Sequence, residues 1–269
     1  MLPLRNGVVA HNMTDVDRRR LSKAPLALVA FQANFSDLDR RLLGKEVVTF
    51  RDSLKHGDYG ELAQVRRNQI TLQVGALGAT QASDSSTSNG WRFTTKDQAW
   101  SVTLFQDSLL LEAHAQAYGD WASGFRPRLE AAITALDTIF HPELEMRLGL
   151  RYINALSDER AIAPTFWRDR IHSAFLGPLA DSRLGDHFRG SNLRANFEFE
   201  GLQGAVSVAY QQDAVYQGNT AVIFDADVFS QDPQEFSTPR IMSEADRLNT
   251  QALYIFQSMV TASQLEEFR

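Results

Sequence analysis

The chain of 269 residues contains no cysteine and no apolar run that approaches the roughly 18 residues of a membrane-spanning helix. The missing cysteines exclude disulfides, thiolate nucleophiles and thiolate metal ligands, and they are typical of proteins in a reducing compartment. The missing apolar run argues against a transmembrane helix, and the polar first residues argue against a secretion signal. We therefore expect a cytoplasmic protein without a membrane partner.

Sequence motifs for catalysis are also missing. The histidines, which show no HxH or HxxxH spacing, are His11, His56, His114, His141, His172 and His187. A zinc site would therefore have to be assembled by the fold alone. No serine lies in a G-x-S-x-G nucleophile elbow, and the glycine-containing segment after Gly75 lacks the lysine of a phosphate-binding loop. We expect no cofactor.

Acidic residues outnumber basic ones by 33 to 27, so the formal net charge is −6 at neutral pH. Phosphate binding relies on basic surface, so this balance argues against a protein that coats nucleic acid, although a local basic face stays open. We interpret residues 1–24 as a polar leader. Its basic residues, Arg18 to Arg20 and Lys23, are read as a solvated charge run, with contact to nucleic acid or an acidic partner as the alternative.

The stretch from Gly90 to Ala155 predicts three strands, a long helix and a fourth strand. Apolar and polar residues alternate from Trp91 to Thr95, which is the period of a half-buried strand. Two short apolar runs follow, from Trp100 to Phe105 and from Leu109 to Ala115, so we expect antiparallel strands joined by tight turns. Another strand is expected from Leu144 to Asn154.

Between these strands the apolar period becomes helical up to Phe140. Asp120 can cap this helix, and Pro142 ends it. Pro127 leaves two alternatives: the regular helix starts near Phe125 with this proline in its first turn, or the helix bends there.

The rest of the chain predicts a similar series of elements. In the first half we expect a strand over Leu26–Phe35, helical turns over Asp37–Leu43, a strand within Glu61–Val74 and a mobile Ser-rich loop over Ala76–Gly90. In the second half we expect a helix over Pro164–Leu176, strands over Leu193–Glu200, Ala205–Gln211 and Asn219–Phe229, and a long helix from Ser243. Thr261 and Gln264 predict a capping box for a final short turn.

The two halves, residues 25–143 and 144–269, share one order of elements, which indicates an internal duplication. Leu110–His114 resembles Ile223–Asp227, and the strand at Leu28–Phe35 resembles that at Leu148–Ala155. The alternative is chance convergence of ordinary apolar strands. The fold predicted for residues 25–269 is a single α+β domain of two βαβββα units, with a mainly antiparallel sheet and two long helices packed on one face.

Several segments together resemble a sporadically distributed family of conserved hypothetical proteins in bacteria and archaea. These segments are AP-L at Ala24–Leu26, GWRFTTKD at Gly90–Asp97, LRYIN at Leu150–Asn154, DADVF at Asp225–Phe229 and the closing FQSMVTASQLEEF. The resemblance runs from about Ala24 to Phe268 and implies neither an activity nor catalytic residues. The patchy occurrence of that family is typical of accessory genes, such as those for phage defence or toxin–antitoxin pairs.

One polar group stands out as a candidate binding site. Asp225 and Asp227 are two residues apart on a predicted strand, so their carboxylates should project from the same face. Arg147 and Arg151, with Asn154 nearby, lie on the first strand of the second half and can pair with them if the strands are neighbours.

Glu112 is a further candidate partner for these arginines. Paired carboxylates can hold a divalent metal ion, for which Asp225 and Asp227 would be the ligands, and arginines can bind phosphate. The interpretation that we favour for these residues is a structural network of ion pairs on a sheet.

These observations favour a non-catalytic protein that binds a ligand or a protein, either a second copy of itself or the product of an adjacent gene. The first alternative is a metal-dependent enzyme acting on nucleotides or phosphodiesters through Asp225 and Asp227. The second is nucleic-acid binding across the sheet, with Trp91 and Trp100, together with Phe93 and Phe105, stacking on bases; we favour the interpretation that these aromatic residues belong to the core of the sheet.

Overall fold

The computed structural model describes residues 16–38, 44–54, 57–74, 80–216 and 219–269. For residues 68–74, 80–87, 164, 186, 211–216, 219 and 220 the description covers the backbone alone. Most of the predicted leader, most of the helical turns predicted over Asp37–Leu43 and the start of the predicted Ser-rich loop therefore lie outside the described residues.

Ten strands and six α-helices make up the described part of the chain. The strands are β1 (Leu26–Phe35), β2 (Glu61–Val74), β3 (Thr80–Thr94), β4 (Trp100–Leu104), β5 (Ser108–His114), β6 (Leu144–Ser157), β7 (Gly190–Phe199), β8 (Leu202–Tyr216), β9 (Asn219–Ser230) and β10 (Gln234–Glu235). The helices are α1 (Gly44–Ser53), α2 (Ala115–Tyr118), α3 (Arg126–Phe140), α4 (Ser173–Leu176), α5 (Thr238–Met259) and α6 (Ala262–Glu267). Shorter turns are a π-helical turn at Trp121–Phe125 and 3₁₀ turns at Pro164–Trp167, Gly177–Ala180 and Gly185–His187.

All ten strands join one open antiparallel sheet. Nine of them follow the order β2-β3-β4-β5-β1-β6-β9-β8-β7, and the short β10 pairs with the start of β6. The two central strands, β1 and β6, pair with each other, so that Ala30 lies opposite Arg151 and Phe31 opposite Leu150. The fold is thus an α+β arrangement, with the candidate residues on β6 and on the nearby strands β5 and β9.

One face of the sheet and the helices share a hydrophobic core. Phe31 of β1 lies between Leu111 of β5 and Leu150 of β6, and all three side chains are fully buried. The same cluster includes the predicted apolar stripes of α3 and α5, for example Leu129 and Leu248. Each such side chain stabilises the fold by about 1.5–3 kcal/mol through burial. No helix in the described ranges is both long and apolar enough to cross a bilayer.

The alternate residues of the central strands point to the other face, which we call the open face. It carries the side chains of Ala30, Gln32, Glu112, Arg147, Arg151, Asp225, Asp227 and Phe229. Arg92, Ser101 and Thr103 continue it on β3 and β4. Because successive strand residues alternate between the faces, the apolar core residues and the polar residues of the open face interleave along each strand.

The loop predicted over Ala76–Gly90 is wrong from Thr80 onward, where β3 begins. This strand pairs with β2 continuously from Thr80 opposite Val74 to Thr94 opposite Glu61, with a single irregularity. Serine, threonine and asparagine are common in loops, but the backbone forms the ladder, and β2 offers a partner over its whole length. Polar composition therefore does not separate this strand from a loop.

The continuous helix predicted over Pro164–Leu176 is also wrong, because an extended segment around Ile171 divides it. Ile171 forms an antiparallel bridge with Val260, just after α5. The backbone N–H of His172 donates to the carbonyl of Met259 at 2.8 Å. These contacts with the end of α5 replace helical hydrogen bonds, so only a 3₁₀ turn and the short α4 remain.

The first residues of the two long helices, α3 and α5, can be compared with the predicted starts. Helix α3 begins at Arg126 with Pro127 in its first turn, so the first alternative for that proline is correct. Asp120 caps the preceding π-helical turn, and its Oδ1 accepts from the backbone N–H of Ser123 at 2.8 Å. Helix α5 begins at Thr238, five residues before the predicted start, because Pro239 is well suited to a first helical turn.

Candidate functional site

The predicted arginine and aspartate residues meet on the open face where β6 pairs with β9. In this register Arg151 lies opposite Asp227, and Ile153 lies opposite Asp225. The guanidinium group of Arg151 reaches diagonally to Asp225, with Nε to Oδ1 at 2.7 Å and Nη2 to Oδ2 at 2.5 Å. This two-point contact is the geometry in which arginine binds a carboxylate most strongly.

The second pair joins Arg147 to Asp227, with Nη2 to Oδ2 at 2.9 Å. The guanidinium of Arg147 also lies over the ring of Phe229, 4.5 Å from its centroid. Beside it, a Cβ added to Gly149 would lie 2.4 Å from Nη1 of Arg147, so only glycine leaves room for this placement. Arg147 is therefore held by the carboxylate of Asp227 and the ring of Phe229, and it occupies the space that Gly149 leaves free.

The two pairs differ in their exposure to solvent. The side chain of Arg151 is 51% exposed, whereas that of Arg147 is 22% exposed. Burial raises the pKa of Asp227, and the two arginines oppose this rise. The hydrogen bonds from Arg151 to Asp225 raise the pKa of Arg151. The Arg147–Asp227 pair is thus the less hydrated of the two.

Glu112 lies on the open face but takes a different partner from the predicted ones. Its Oε2 accepts from Nη2 of Arg92 at 3.1 Å and from Oγ of Ser101 at 3.0 Å. Arg92 was not predicted as a site residue. Its position between the apolar Trp91 and Phe93 was a usable signal, because strand alternation places it on the polar face.

Asn154 is separated from the carboxylates by the sheet itself. It shares the buried face of β6 with Tyr152, whereas Arg151 and Ile153 point to the open face. Its side chain is 7% exposed and lines a pocket against α5. The prediction that Asn154 lies with the two aspartates is therefore wrong. Side chains of a strand alternate between its faces, and residues 151 and 154 are an odd number of positions apart, so they point to opposite faces.

The two tryptophans proposed as a base-stacking platform lie on the buried face of the sheet, opposite to the open face. Trp100 is 4% exposed, packs against Phe125 at 5.8 Å between centroids, and is covered by the guanidinium of Arg128 at 4.3 Å. Trp91 packs against the same core. The core interpretation of these residues is therefore confirmed.

The chemistry available to Asp225 and Asp227 is limited by their partners. Each carboxylate already accepts hydrogen bonds from an arginine, and a cation beside a carboxylate weakens its attraction for a second cation. Within the described residues, no three His, Asp or Glu side chains lie together in a group that could hold a metal ion. The arrangement is suited to binding through charged hydrogen bonds.

A scan against models of protein families and a search of curated proteins return no match to this chain.

Proposed function

We propose that this chain is a non-catalytic binding protein that docks a protein partner on the open face of its sheet. The observation that carries the proposal is the row of ion pairs across that face. The pairs are Arg92–Glu112, Arg147–Asp227 and Arg151–Asp225. They are partly exposed, so a partner can reach them and exchange charged hydrogen bonds with them.

The exposed part of the open face has the size of a small, transient interface. Ser101 and Thr103 on β4 are 4% and 5% exposed, so this part runs over the six strands from β5 to β7, and the register of β1 with β5 covers seven residues. With about 4.8 Å between strands and about 3.3 Å between residues, it measures about 24 by 23 Å, or about 550 Å². Weak and transient interfaces cover less than about 600 Å² on each partner.

The charges of the open face support a protein partner rather than nucleic acid. Each of the three carboxylates is paired with an arginine, so the row presents both signs and not a continuous basic surface. Nucleic acid needs basic groups in excess, and the whole chain has a formal net charge of −6. A protein surface can offer acidic and basic groups together.

A transient partner of different sequence fits this face better than a permanent homodimer. Interfaces of permanent homodimers resemble a divided hydrophobic core. The centre of the open face instead carries charged side chains, and Arg151 is half exposed. We therefore propose a partner encoded by another gene, which fits the patchy occurrence of the resembled family, since such occurrence is typical of phage-defence and toxin–antitoxin gene pairs.

We also propose that the fold arose by duplication, as the family resemblance and the repeated segments suggest. Outward from β1 the strands run β5, β4, β3, and outward from β6 they run β9, β8, β7. These equivalent orders support the proposal, with β2 as an addition to the first half. The two long helices, α3 and α5, would then be equivalent elements packed side by side on one face.

The alternative function is metal-dependent chemistry at Asp225 and Asp227. One observation favours it: burial raises the pKa of Asp227, and titratable groups with perturbed pKa values gather at active sites. Calorimetric titration with Mg²⁺ and Mn²⁺ separates the two functions. We expect no saturable heat, whereas tight binding that is abolished by Asp225→Asn would establish the alternative.

The test of partner binding exchanges the charges of one pair. In the double variant Arg151→Asp with Asp225→Arg, an internal ion pair remains, but both charges seen by a partner are reversed. The tagged chain is co-expressed with the products of its neighbouring genes and purified. We expect one product to co-purify with the wild-type chain and at least tenfold less of it with the exchanged variant.

The matched control is Arg183→Asp, which reverses a charge at a position that is 87% exposed and away from the sheet. It should retain the partner at the wild-type level. Thermal melts of all three proteins must agree within a few degrees for the comparison to hold. Equal recovery of the partner with the exchanged variant, or no partner with any form, would overturn the proposal.

A further inference from the structure

A pocket of about 310 Å³ lies on the helix side of the sheet, away from the open face. Helix α5 contributes four residues with the spacing of one helical face: Asn249, Ala252, Leu253 and Phe256. Strand β6 contributes Tyr152 and Asn154, which are two apart and share the buried face. The remaining walls are Tyr118, the π-helical turn after it, and the segment over residues 17–26.

A short chain of hydrogen bonds lines the inner wall of this pocket. The hydroxyl of Tyr152 donates to Oδ1 of Asn249 at 2.8 Å and lies 2.9 Å from the hydroxyl of Tyr118. Because the proton of Tyr152 is used on Asn249, Tyr118 donates to Tyr152. Burial raises the pKa of Tyr118 to about 12 and that of Tyr152 well above its usual value. Both hydroxyls are therefore neutral.

Two amide side chains that complete the wall have polar atoms without a protein partner. Asn249 is 1% exposed and Asn154 is 7% exposed. Among the described residues, the amide nitrogen of Asn249 and the whole side-chain amide of Asn154 make no hydrogen bond. Both amides line the pocket, so their unpartnered polar atoms can form hydrogen bonds with a ligand that enters it.

The remaining walls suit a flat apolar ring. Trp121 is held in place by a hydrogen bond from Nε1 to Oδ1 of Asp246 at 2.7 Å and stacks on Phe125 at 5.5 Å between centroids. Phe256 and Ala252 provide apolar surface on α5. A largely apolar pocket with a few convergent polar groups is the usual form of a small-molecule site, and 310 Å³ is at the lower end of the size range.

Three arginines lie at the outer part of the pocket, on the segment over residues 17–26. Arg18 donates to the hydroxyl of Thr250 at 2.7 Å, Arg19 pairs with Asp17, and Arg20 lies close enough to Asp120 to lower the pKa of that carboxyl. The polar groups on the inner wall are neutral, so a charged ligand would be buried there without a counter-charge, which is costly. The ligand that fits is therefore neutral.

We propose that this pocket binds a small, neutral, planar molecule with a lactam or carboxamide edge. The ring fills the space between Trp121 and Phe256. The carbonyl of the edge accepts from the amide nitrogen of Asn249, and its N–H donates to Oδ1 of Asn154. The site is separate from the open face, because Arg151 and Tyr152 are neighbours on β6 that point to opposite faces.

The test uses 2-quinolone, a bicyclic ring with a lactam edge, and ligand-observed saturation-transfer NMR on the full chain. Quinoline is the matched probe, because it has a similar ring but lacks the N–H and carbonyl pair. Hypoxanthine, which carries the same edge on a purine, shows whether a nucleobase or another aromatic lactam is preferred. We expect saturable binding of 2-quinolone or hypoxanthine and at least tenfold weaker binding of quinoline.

Three variants of α5 and β6 locate the bound probe. Asn249→Leu removes the donor, Asn154→Leu removes the acceptor, and Ala252→Phe fills the pocket without changing a polar group. Each should weaken binding at least tenfold, and the second and third keep the test valid if the first fails to fold. Gln251→Leu is the control, because Gln251 is buried on the same helix but does not line the pocket.

Three results would overturn the proposal. They are the absence of saturable binding by either lactam, equal binding of quinoline and 2-quinolone, and equal binding by the wild-type chain and the filled Ala252→Phe variant.

Discussion

Replacing Arg147 with alanine should destabilise the fold more than replacing Arg151, although each arginine pairs with one aspartate. Truncation of Arg147 removes the ion pair with Asp227 and the contact with the ring of Phe229. A cation–ring contact of this kind contributes about 0.5–1 kcal/mol at an exposed site. Loss of one partner costs under about 1 kcal/mol at the surface and about 3–5 kcal/mol in the interior.

The exposures decide where each arginine falls between these limits. Arg147 is 22% exposed and Asp227 is 33% exposed, so we expect Arg147→Ala to cost about 2–3 kcal/mol of unfolding free energy. Arg151 is 51% exposed, and we expect Arg151→Ala to cost less than about 1 kcal/mol. Urea unfolding at neutral pH, followed by tryptophan fluorescence, measures both differences.

A double-mutant cycle with Asp227→Asn separates the pair from the rest of the side chain. In the Arg147→Ala background, Asp227 is a partly buried charge without its arginine, so Asp227→Asn should recover about 1 kcal/mol or more. In the wild-type background the same change should be neutral or mildly stabilising, because burial disfavours the charged form of Asp227. Additive effects, or equal costs for the two arginine variants, would refute the reasoning.

The pH dependence of Asp227 gives an independent check. Burial raises its pKa in the folded state above the ordinary value of 3.8. Between the ordinary and the raised value, the folded chain binds more protons than the unfolded chain, so this carboxyl lowers stability as pH rises through that window. Asp227→Asn should remove this decrease.

Two further substitutions test the packing of the open face and the start of α3. Gly149→Ala places a Cβ 2.4 Å from Nη1 of Arg147, so Arg147 must shift; by urea unfolding the change should cost less than about 1 kcal/mol in the wild-type chain and be neutral or stabilising in the Arg147→Ala variant. Asp120→Ala should cost about 1 kcal/mol at neutral pH through loss of the cap. Hydrogen bonds from Ser123 lower the pKa of Asp120, so its contribution is present above the ordinary value and is lost as pH falls through the lowered one. Melting temperatures of the two proteins should therefore converge at low pH.

The sequence contained enough information to predict the ion pairs at the centre of the sheet. Strand periodicity places Asp225 and Asp227 on one face, and a charged face on two neighbouring strands leads to pairing. The choice of partners could not be predicted, because it depends on register. Arg151 reaches Asp225 diagonally rather than Asp227 directly opposite. A shift of one residue would have moved each charge to the buried face.

The pocket could not have been predicted from sequence patterns. Its walls come from residues 17–26, 118–122, 152–154 and 249–256, which are far apart along the chain. The stripe on α5 predicts a buried face correctly, but periodicity does not distinguish a side chain that touches the core from one that lines a cavity. The place of Asn249 in the pocket wall could not be predicted for the same reason, because an asparagine beside an apolar stripe is also compatible with the polar side of a helix.

The exposure of the open face to solvent explains why it carries ion pairs rather than apolar side chains near the middle of the sheet. An apolar face of about 550 Å² would be as large as the largest apolar patches of typical monomers and would favour aggregation. Pairing each carboxylate with an arginine keeps the face hydrated and avoids repulsion between Asp225 and Asp227. A partner that covers the face must remove water from these pairs, which costs free energy. Docking should therefore be selective for partners with matching charges, and of moderate affinity, since only groups that replace the lost hydration recover that cost.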